Sequence, residues 1–300
     1  MKSLFVYVLT ALFLASPAAN AALNVLSCEP EWAALTQELA GDLAKVSSAT
    51  TAQQDPHHIE ARPSLLARAR RADLLICTGA ELETGWLPLL QREAGNGKIQ
   101  PGQPGYFEAA RFARIIERPT ALDRAQGDVH ASGNPHLHLD PHNIARVADG
   151  LARRLADLDP ANAARYAQRN ADFQARWTAA MARWEQQGAR LTGMPVVVHH
   201  RNWSYLADWL GLTVIGELEP RPGMEPTASH LAELLETLKT KPARTVLHAA
   251  YESPKASEWL SSRASIPALE LPYTVGGSPG AKDLFGLFDD TLSRLLQAAP

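Results

Sequence analysis

The 300-residue chain has the composition of an ordinary globular protein, with 46% hydrophobic and 20% charged residues. Its 29 basic and 32 acidic side chains give a formal net charge of −3 at pH 7. This balance provides no basic field, and we therefore exclude nucleic acid and anionic membrane surfaces as expected partners.

The first 21 residues have the three parts of a secretory signal peptide. Lys2 supplies a positive charge, residues 4–14 form a short apolar run, and Ala19-Asn20-Ala21 has the A-x-A form of a cleavage site. The run is about half of the roughly 20 residues that cross a bilayer. We therefore expect cleavage after Ala21 and export to the periplasm, although residues 25–28 (VLSC) are a weak match to a lipobox.

Short apolar runs rich in β-branched residues alternate with helix-like stretches along the rest of the chain. The predicted strands are residues 24–27, 45–48, 74–78, 196–199, 213–216, 244–247 and 268–271. The predicted helices include residues 63–71, 143–158, 228–238 and 284–296, which begin near a proline or a capping residue. This alternation predicts an α/β fold with mostly parallel sheets.

Residues 159–190 are predicted to form one long amphipathic helix, because apolar and aromatic side chains recur there at spacings of three, four or seven. Strands and helices alternate on both sides of it. We expect a signal peptide over 1–21, an N-terminal lobe over 22–158, a rigid connecting helix over 159–190 and a C-terminal lobe over 191–300. A long helix packed on one domain is the alternative that periodicity leaves open.

Cys28 and Cys77 are the only cysteines of the chain, and each lies near the end of an apolar run. In an oxidising compartment they can form a disulfide if the two runs are neighbouring parallel strands. Two separate buried thiols are the alternative. Ligation of zinc by the cysteines is disfavoured because no C-x-x-C cluster accompanies them.

The histidines provide the main functional signal, because eight of the ten fall in three groups. These groups are His57-His58, then His130, His136, His138 and His142, then His199-His200. Neutral imidazole is a favoured zinc ligand, and a site assembled from distant segments suits tetrahedral coordination. His57 and His200 follow predicted strands, where ligands of open parallel sheets bind. His136 and His138 would point the same way in an extended segment, so the residues alone do not choose between them.

Four groups of residues, in order, resemble the metal-specific solute-binding proteins of bacterial ABC importers, particularly the zinc-uptake members. They are Asp55-Pro56-His57 with Glu60 and Pro63, residues 72–74 with 79–83, Pro135-His136 through Asp140-Pro141, and His200 through Tyr205 with Gly211-Leu212. The resemblance implies a non-enzymatic, monomeric protein of two lobes. Such a protein captures zinc between the lobes and delivers it to an ABC transporter permease in the inner membrane.

The same resemblance implies that the metal ligands are His57, His136 and His200. It favours His136 over His138, whose position usually holds tryptophan in the family. A histidine at the third position resembles the zinc members, whereas the manganese members tend to have glutamate there, so manganese or another divalent metal is the alternative cargo. Glu81 and Glu83 are expected either to support the ligand histidines or to form salt bridges.

The fourth ligand is left open, because Val275 stands where many family members have a carboxylate. Water, His130, His138 and Asp283 are the candidates, and Asp283 also has the pattern of a helix N-cap. Three histidines and a water also form catalytic zinc sites, which makes a secreted zinc hydrolase the runner-up function. The chain has no H-E-x-x-H or G-x-S-x-G motif to support that reading. An adhesin or a metal-sensing surface protein is a third possibility.

Overall fold

The computed structural model describes residues 22–119 and 130–299. The expected signal peptide of residues 1–21 lies outside the described residues. Within the described ranges, no helix is both long enough and apolar enough to cross a membrane.

The N-terminal half contains one parallel sheet and the helices that pack on it. Its elements are β1 (Leu23–Ser27), α1 (Pro30–Ala40), β2 (Ala44–Ser48), α2 (Pro63–Arg71), β3 (Leu74–Cys77), α3 (Leu87–Ala94), β4 (Tyr106–Glu108) and α4 (Pro141–Leu158). The strand order is β2-β1-β3-β4, and Val25 of β1 pairs with Val46 of β2 and Leu74 of β3. Because β1 lies in the middle of these three strands, Val25 is buried in the core.

The C-terminal half repeats this architecture with a second parallel sheet. Its elements are α5 (Ala163–Gly188), β5 (Pro195–Val198), α6 (Ser204–Leu210), β6 (Thr213–Glu217), α7 (Ala228–Thr240), β7 (Thr245–Ala249), α8 (Pro254–Ala264), β8 (Ala268–Leu271) and α9 (Leu284–Ala298). The strand order is β6-β5-β7-β8. The structure therefore confirms the α/β fold with two parallel sheets flanked by helices.

All seven predicted strands are present, with ends shifted by at most two residues. The sequence analysis missed β4, which has three residues and is too short to show a periodic pattern. Helix starts follow the predicted signals. Pro63 is the first residue of α2, and the side chains of Asp140 and Asp283 accept hydrogen bonds from the first turns of α4 and α9.

The predicted long helix is α5, which is shorter than expected at its N-terminal end. A 3-10 turn over Pro160–Asn162 precedes it, and the α-helix covers Ala163–Gly188. Tyr166, Phe173 and Trp177 are fully buried on its inner face. Because α5 packs against α1 and α4 of the N-terminal half and against α9 of the C-terminal half, it contacts elements of both halves.

Cys28 and Cys77 are joined by a disulfide. Ser27 of β1 pairs with Ile76 of β3 in the parallel register, so the next residues along both strands stand side by side. Their Cα atoms are 4.8 Å apart, a usual separation for a disulfide. The sequence analysis required the two apolar runs to be neighbouring parallel strands for a disulfide to form. Strands β1 and β3 are such neighbours.

Candidate metal site

Three histidines from distant parts of the chain lie side by side. One ring nitrogen each from His57, His136 and His200 lies within 4.8 Å of the others. The ring centroids are 5.3 Å apart for His57 and His136, 5.4 Å for His136 and His200, and 5.8 Å for His57 and His200. All three residues are buried. The structure thus brings together the three residues that the family resemblance singled out.

Each histidine is placed by a loop next to a regular element. His57 lies in the loop between β2 and α2, where its own N–H donates a 2.9 Å hydrogen bond to the Asp55 carboxylate. His136 precedes the turn that leads into α4, and its N–H donates to the Asn134 side chain. His200 is the second residue after β5. His57 and His200 therefore lie beyond the carboxyl ends of strands from different sheets, as expected for ligand-binding residues.

The Nδ1 atoms of the three rings are all engaged by other side chains. Each Nδ1 atom lies 2.7 Å from a side-chain oxygen. The oxygen belongs to the Asp55 carboxylate for His57, to the Tyr273 hydroxyl for His136 and to the Glu219 carboxylate for His200. A carboxylate at Nδ1 keeps the proton on that nitrogen and leaves the lone pair on Nε2. Nε2 of His57 is buried and has no hydrogen-bond partner among the described residues. This arrangement is typical of histidines that bind a metal through Nε2.

The environment affects the protonation of these rings differently. Burial, followed by the proximity of His57 and His200, lowers the pKa of His136 well below its ordinary value. Burial also disfavours the charged form of His200, but the hydrogen bond and the charge of Glu219 outweigh it and raise the pKa of His200. His136 is therefore ready to donate its lone pair at neutral pH, whereas His200 holds a proton more strongly than an ordinary histidine.

His138 does not join the cluster, because the segment that follows His136 is not extended. Residues Leu137–Leu139 form a 3-10 turn, so simple alternation of side chains does not apply. Nε2 of His138 lies 2.9 Å from the Tyr273 carbonyl oxygen, and Nδ1 lies 3.2 Å from a Glu31 carboxylate oxygen. With both nitrogens facing protein oxygens and no exposed surface, His138 packs behind the cluster.

A cavity of about 150 Å³ borders His57 and His200. Carboxylates line much of it, namely those of Asp55, Glu219, Glu225 and Glu252. His199 also lines this cavity, and burial lowers its pKa to about 4. Burial raises the pKa of Glu252 to about 8. The remaining carboxylates give the cavity a negative field that favours cations.

Glu81 and Glu83 do not contact the three clustered histidines through any described hydrogen bond. Glu83 is buried and accepts hydrogen bonds from the backbone N–H groups of Thr78 and Gly79. Glu81 is exposed and accepts a 2.6 Å hydrogen bond from the N–H of Ala131. Both carboxylates therefore accept hydrogen bonds from the backbone of turns.

The side chains that orient His136 and His200 were missed in the sequence. Glu219 comes two residues after β6, the neighbour of β5, so its position beyond a strand end was a usable signal. Tyr273 follows β8 by two residues and reaches His136 across 137 positions of the chain. No local pattern marks such a contact, because only the assembled fold brings the two residues together.

Known proteins resemble this chain in sequence and in fold. The sequence profile of the family described as "ZnuA: Zinc-uptake complex component A periplasmic" matches residues 25–298. The high-affinity zinc uptake system protein ZnuA of Paracoccus denitrificans is 28% identical over 311 residues, which cover 95% of this chain and 93% of that protein.

A manganese relative matches over a shorter region. The manganese ABC transporter substrate-binding lipoprotein scaA of Streptococcus gordonii is 28% identical over 144 residues, which cover 48% of this chain and 44% of that protein. This chain thus spans less than half the length of that relative. A crystal structure of ZnuA superposes with a TM-score of 0.75 at 24% identity and covers 93% of this chain and 100% of that one, which establishes a shared fold.

Proposed function

The chain belongs to the family of ZnuA-type periplasmic zinc-uptake components, and from this premise we propose that it binds a zinc ion through His57, His136 and His200. The zinc is its cargo, which it delivers to the permease of an ABC importer in the inner membrane. It acts as a monomeric solute-binding protein in the periplasm, after cleavage of the signal peptide near Ala21, and carries out no chemical reaction.

The observation that carries the proposal is the shared orientation of the three rings. Every Nδ1 bonds to a side chain outside the cluster, so each ring has Nε2 left for the ion. Zinc bonds to imidazole of about 2.0–2.1 Å place tetrahedral ligands about 3.3 Å apart. The nitrogens, which lie within 4.8 Å of one another, reach that spacing through small side-chain movements.

The proposed lobes explain how the ion is enclosed. His57 and His136 come from the lobe of residues 22–158, and His200 comes from the lobe of residues 191–300. The helix assigned to residues 159–190 connects them, and α5 packs on helices from both. Such a connection restricts large hinge motions, so we expect capture and release to depend on loops more than on wide opening of the lobes.

Zinc is favoured over manganese by the chemistry of the donors. The three-residue cluster offers nitrogen atoms alone, and imidazole suits zinc whereas carboxylates suit manganese. The names of the relatives include both zinc and manganese and do not decide between the two metals. The preference for zinc therefore rests on the nitrogen atoms that the three histidines offer. We expect competition between the two metals to favour zinc strongly.

The direct test is metal analysis of the mature protein with zinc and manganese titrations of wild type and the alanine variants of His57, His136 and His200. We expect one zinc per chain in the wild type. Each variant should lose more affinity than the roughly 10- to 100-fold typical of an outer-shell substitution. His58→Ala is the matched control, because His58 is exposed and adjacent to His57.

Circular dichroism of the metal-free variants separates loss of a ligand from loss of the fold. Zinc retained by all three variants, or the absence of stoichiometric zinc in the wild type, would refute the proposed site. Delivery is tested by growth of a zinc-importing bacterium whose own binding protein has been deleted. Wild type should restore growth at low zinc only if the partner permease is co-expressed, and His200→Ala should not.

A further inference from the structure

A loop of the C-terminal half brings Tyr273 to the histidine cluster. This loop follows β8 and closes a turn in which the Gly277 N–H donates to the Thr274 carbonyl oxygen. Tyr273 and His136 belong to different halves of the chain, so the Tyr273 hydroxyl reaches Nδ1 of His136 only if the loop is held against the N-terminal half. The contacts that hold the loop therefore affect the orientation of a proposed ligand.

Glu31, the second residue of α1, makes two of these contacts from the N-terminal half. One carboxylate oxygen accepts a 2.5 Å hydrogen bond from the Thr274 hydroxyl. The other lies 3.2 Å from Nδ1 of His138. Glu31 and His138 have no exposed surface, and Thr274 is 3% exposed. Glu31 thus connects the Tyr273 loop to the segment that carries His136.

These contacts act on Tyr273 from two directions. Thr274 is the next residue along the chain, and Nε2 of His138 lies 2.9 Å from the Tyr273 carbonyl oxygen. A carbonyl oxygen only accepts, so Nε2 of His138 donates this hydrogen bond. The rings of His138 and Tyr273 also meet edge-on, with centroids 4.8 Å apart. Glu31 therefore constrains both the backbone and the ring of Tyr273, although it touches neither directly.

The stability of the fold gives only a weak reason for a carboxylate at this place. A fully buried carboxylate is costly even when it is paired, and apolar side chains of similar size often replace a buried ion pair without loss of stability. The first turn of α1 reduces this cost, because the positive end of a helix favours negative charge. A role in orienting Tyr273 explains why the polar pair of Glu31 and His138 occupies the space that a leucine would fill.

We propose that Glu31 is a positioning residue of the metal site, which holds the Thr274 and His138 side chains so that the Tyr273 hydroxyl meets His136. Glu31 acts through these residues and does not bind the ion. This inference rests on the proposed function, because it concerns the orientation of a proposed ligand. It makes zinc affinity depend on a residue of α1 that lies outside the histidine cluster.

The test is a set of zinc competition titrations on Glu31→Leu, Glu31→Gln and Thr274→Val, each made in the wild-type and the Tyr273→Phe backgrounds. We expect Glu31→Leu to weaken zinc binding about tenfold, the size typical of losing a side chain that orients a ligand histidine. Thr274→Val should weaken it less, because the contact with His138 remains. Glu31→Gln keeps an oxygen for the Thr274 hydroxyl and places an amide beside His138, so it should bind zinc nearly as tightly as wild type.

The Tyr273→Phe background separates positioning from a general effect on the fold. Without the Tyr273 hydroxyl, Glu31 has no group to present to His136, so Glu31→Leu should cause no further loss of zinc affinity there. A purely structural role would give the same loss in both backgrounds. Glu38→Ala is the matched control, because Glu38 lies on the same helix and pairs with Arg176. It should keep the zinc affinity of its parent in each background.

Two results would overturn this inference. One is wild-type zinc affinity in both Glu31→Leu and Thr274→Val, and the other is an equal loss of affinity in the two backgrounds. If Glu31→Leu does not fold, Thr274→Val provides both comparisons. Either result leaves the three-histidine site standing, whereas a wild type that binds no zinc refutes the proposed function and this inference with it.

Discussion

The Tyr273 hydroxyl lies 2.7 Å from Nδ1 of His136, so a residue of the C-terminal half contacts a proposed metal ligand of the N-terminal half. Burial raises the pKa of Tyr273 well above its ordinary value, and the phenol is neutral at all physiological pH values. A neutral hydroxyl can donate or accept, whereas the carboxylates beside His57 and His200 can only accept. The tautomer of His136 is therefore the least constrained of the three.

Tyr273→Phe should weaken zinc binding by about tenfold, in line with the loss of an outer-shell partner of a ligand histidine. The His136 ring loses the hydrogen bond that orients it while its burial is retained. Zinc competition titration measures the effect. Tyr251→Phe is the matched control, because its hydroxyl accepts a hydrogen bond from Asn202 and not from a histidine. Equal effects of the two substitutions would show that Tyr273 contributes only packing.

Glu219→Gln should lower zinc affinity at neutral pH and move the acid loss of zinc to lower pH. Glu219 raises the pKa of His200, so protons displace zinc from wild type at a higher pH than an ordinary histidine would allow. Removing the charge lowers that pKa, and proton competition then begins at a lower pH. Zinc titrations between pH 8 and pH 5.5 test this, with Glu225→Gln as the control from the same cavity. Unchanged pH profiles would contradict the assignment.

Cys28→Ala/Cys77→Ala should destabilise the metal-free protein without changing zinc affinity. The disulfide closes a loop with a sequence separation of 49, for which loop-closure entropy estimates about 4 kcal/mol of stabilisation. Neither cysteine belongs to the histidine cluster. Urea unfolding in the presence of a chelator measures the free energy of unfolding, and zinc titration measures the site. If the double variant lost zinc affinity while its free energy of unfolding stayed unchanged, this prediction would be wrong.

Glu83→Gln should reduce the pH dependence of stability in the metal-free protein. Burial raises the pKa of Glu83 from 4.5 to about 7, so the folded state keeps a proton that the unfolded state has released. The stability that this proton contributes is fully present below pH 4.5, the ordinary pKa of the carboxyl group. It is lost as the pH rises from 4.5 to about 7, the pKa in the folded state. Denaturant unfolding at pH 5 and pH 8 should show a smaller decrease in the variant than in wild type. The exposed Glu60→Gln provides the control, and identical decreases in all three proteins would refute the prediction.

The fold was largely predictable because its strands are apolar runs separated by helices that begin at prolines or caps. The predicted start of the long helix failed at Pro160, where the chain makes a 3-10 turn before Ala163. Strand β4 escaped notice because it has three residues and is recognisable only by its pairing with β3. Short elements and helix ends depend on tertiary contacts more than on local patterns.

The three clustered histidines were predictable from their sequence neighbours and the family resemblance, but their surroundings were not. Asp55 stands in the same Asp-Pro-His turn as His57, so that pair can be read from the chain. Tyr273 and Glu219 are distant in sequence from the rings they orient, at separations of 137 and 19. The contact between His136 and Tyr273 forms only when the two halves assemble, and a single sequence contains no local record of it. Glu219 follows β6, the neighbour of β5 in the same sheet, so its position beyond a strand end was a signal that the sequence analysis did not use.

Asp55, Tyr273 and Glu219, the side chains that contact the Nδ1 atoms of the three histidines, differ in charge. This difference sets the ion charge that the site can accommodate. Asp55 and Glu219 each contribute one negative charge, whereas Tyr273 and three neutral imidazoles contribute none. A divalent cation therefore brings this group of buried and half-buried side chains to a net charge of zero. A monovalent ion would leave one negative charge and a trivalent ion one positive charge, and an uncompensated charge away from water is costly. The pairing of two carboxylates with one phenol thus matches the site to doubly charged ions before coordination geometry selects among them.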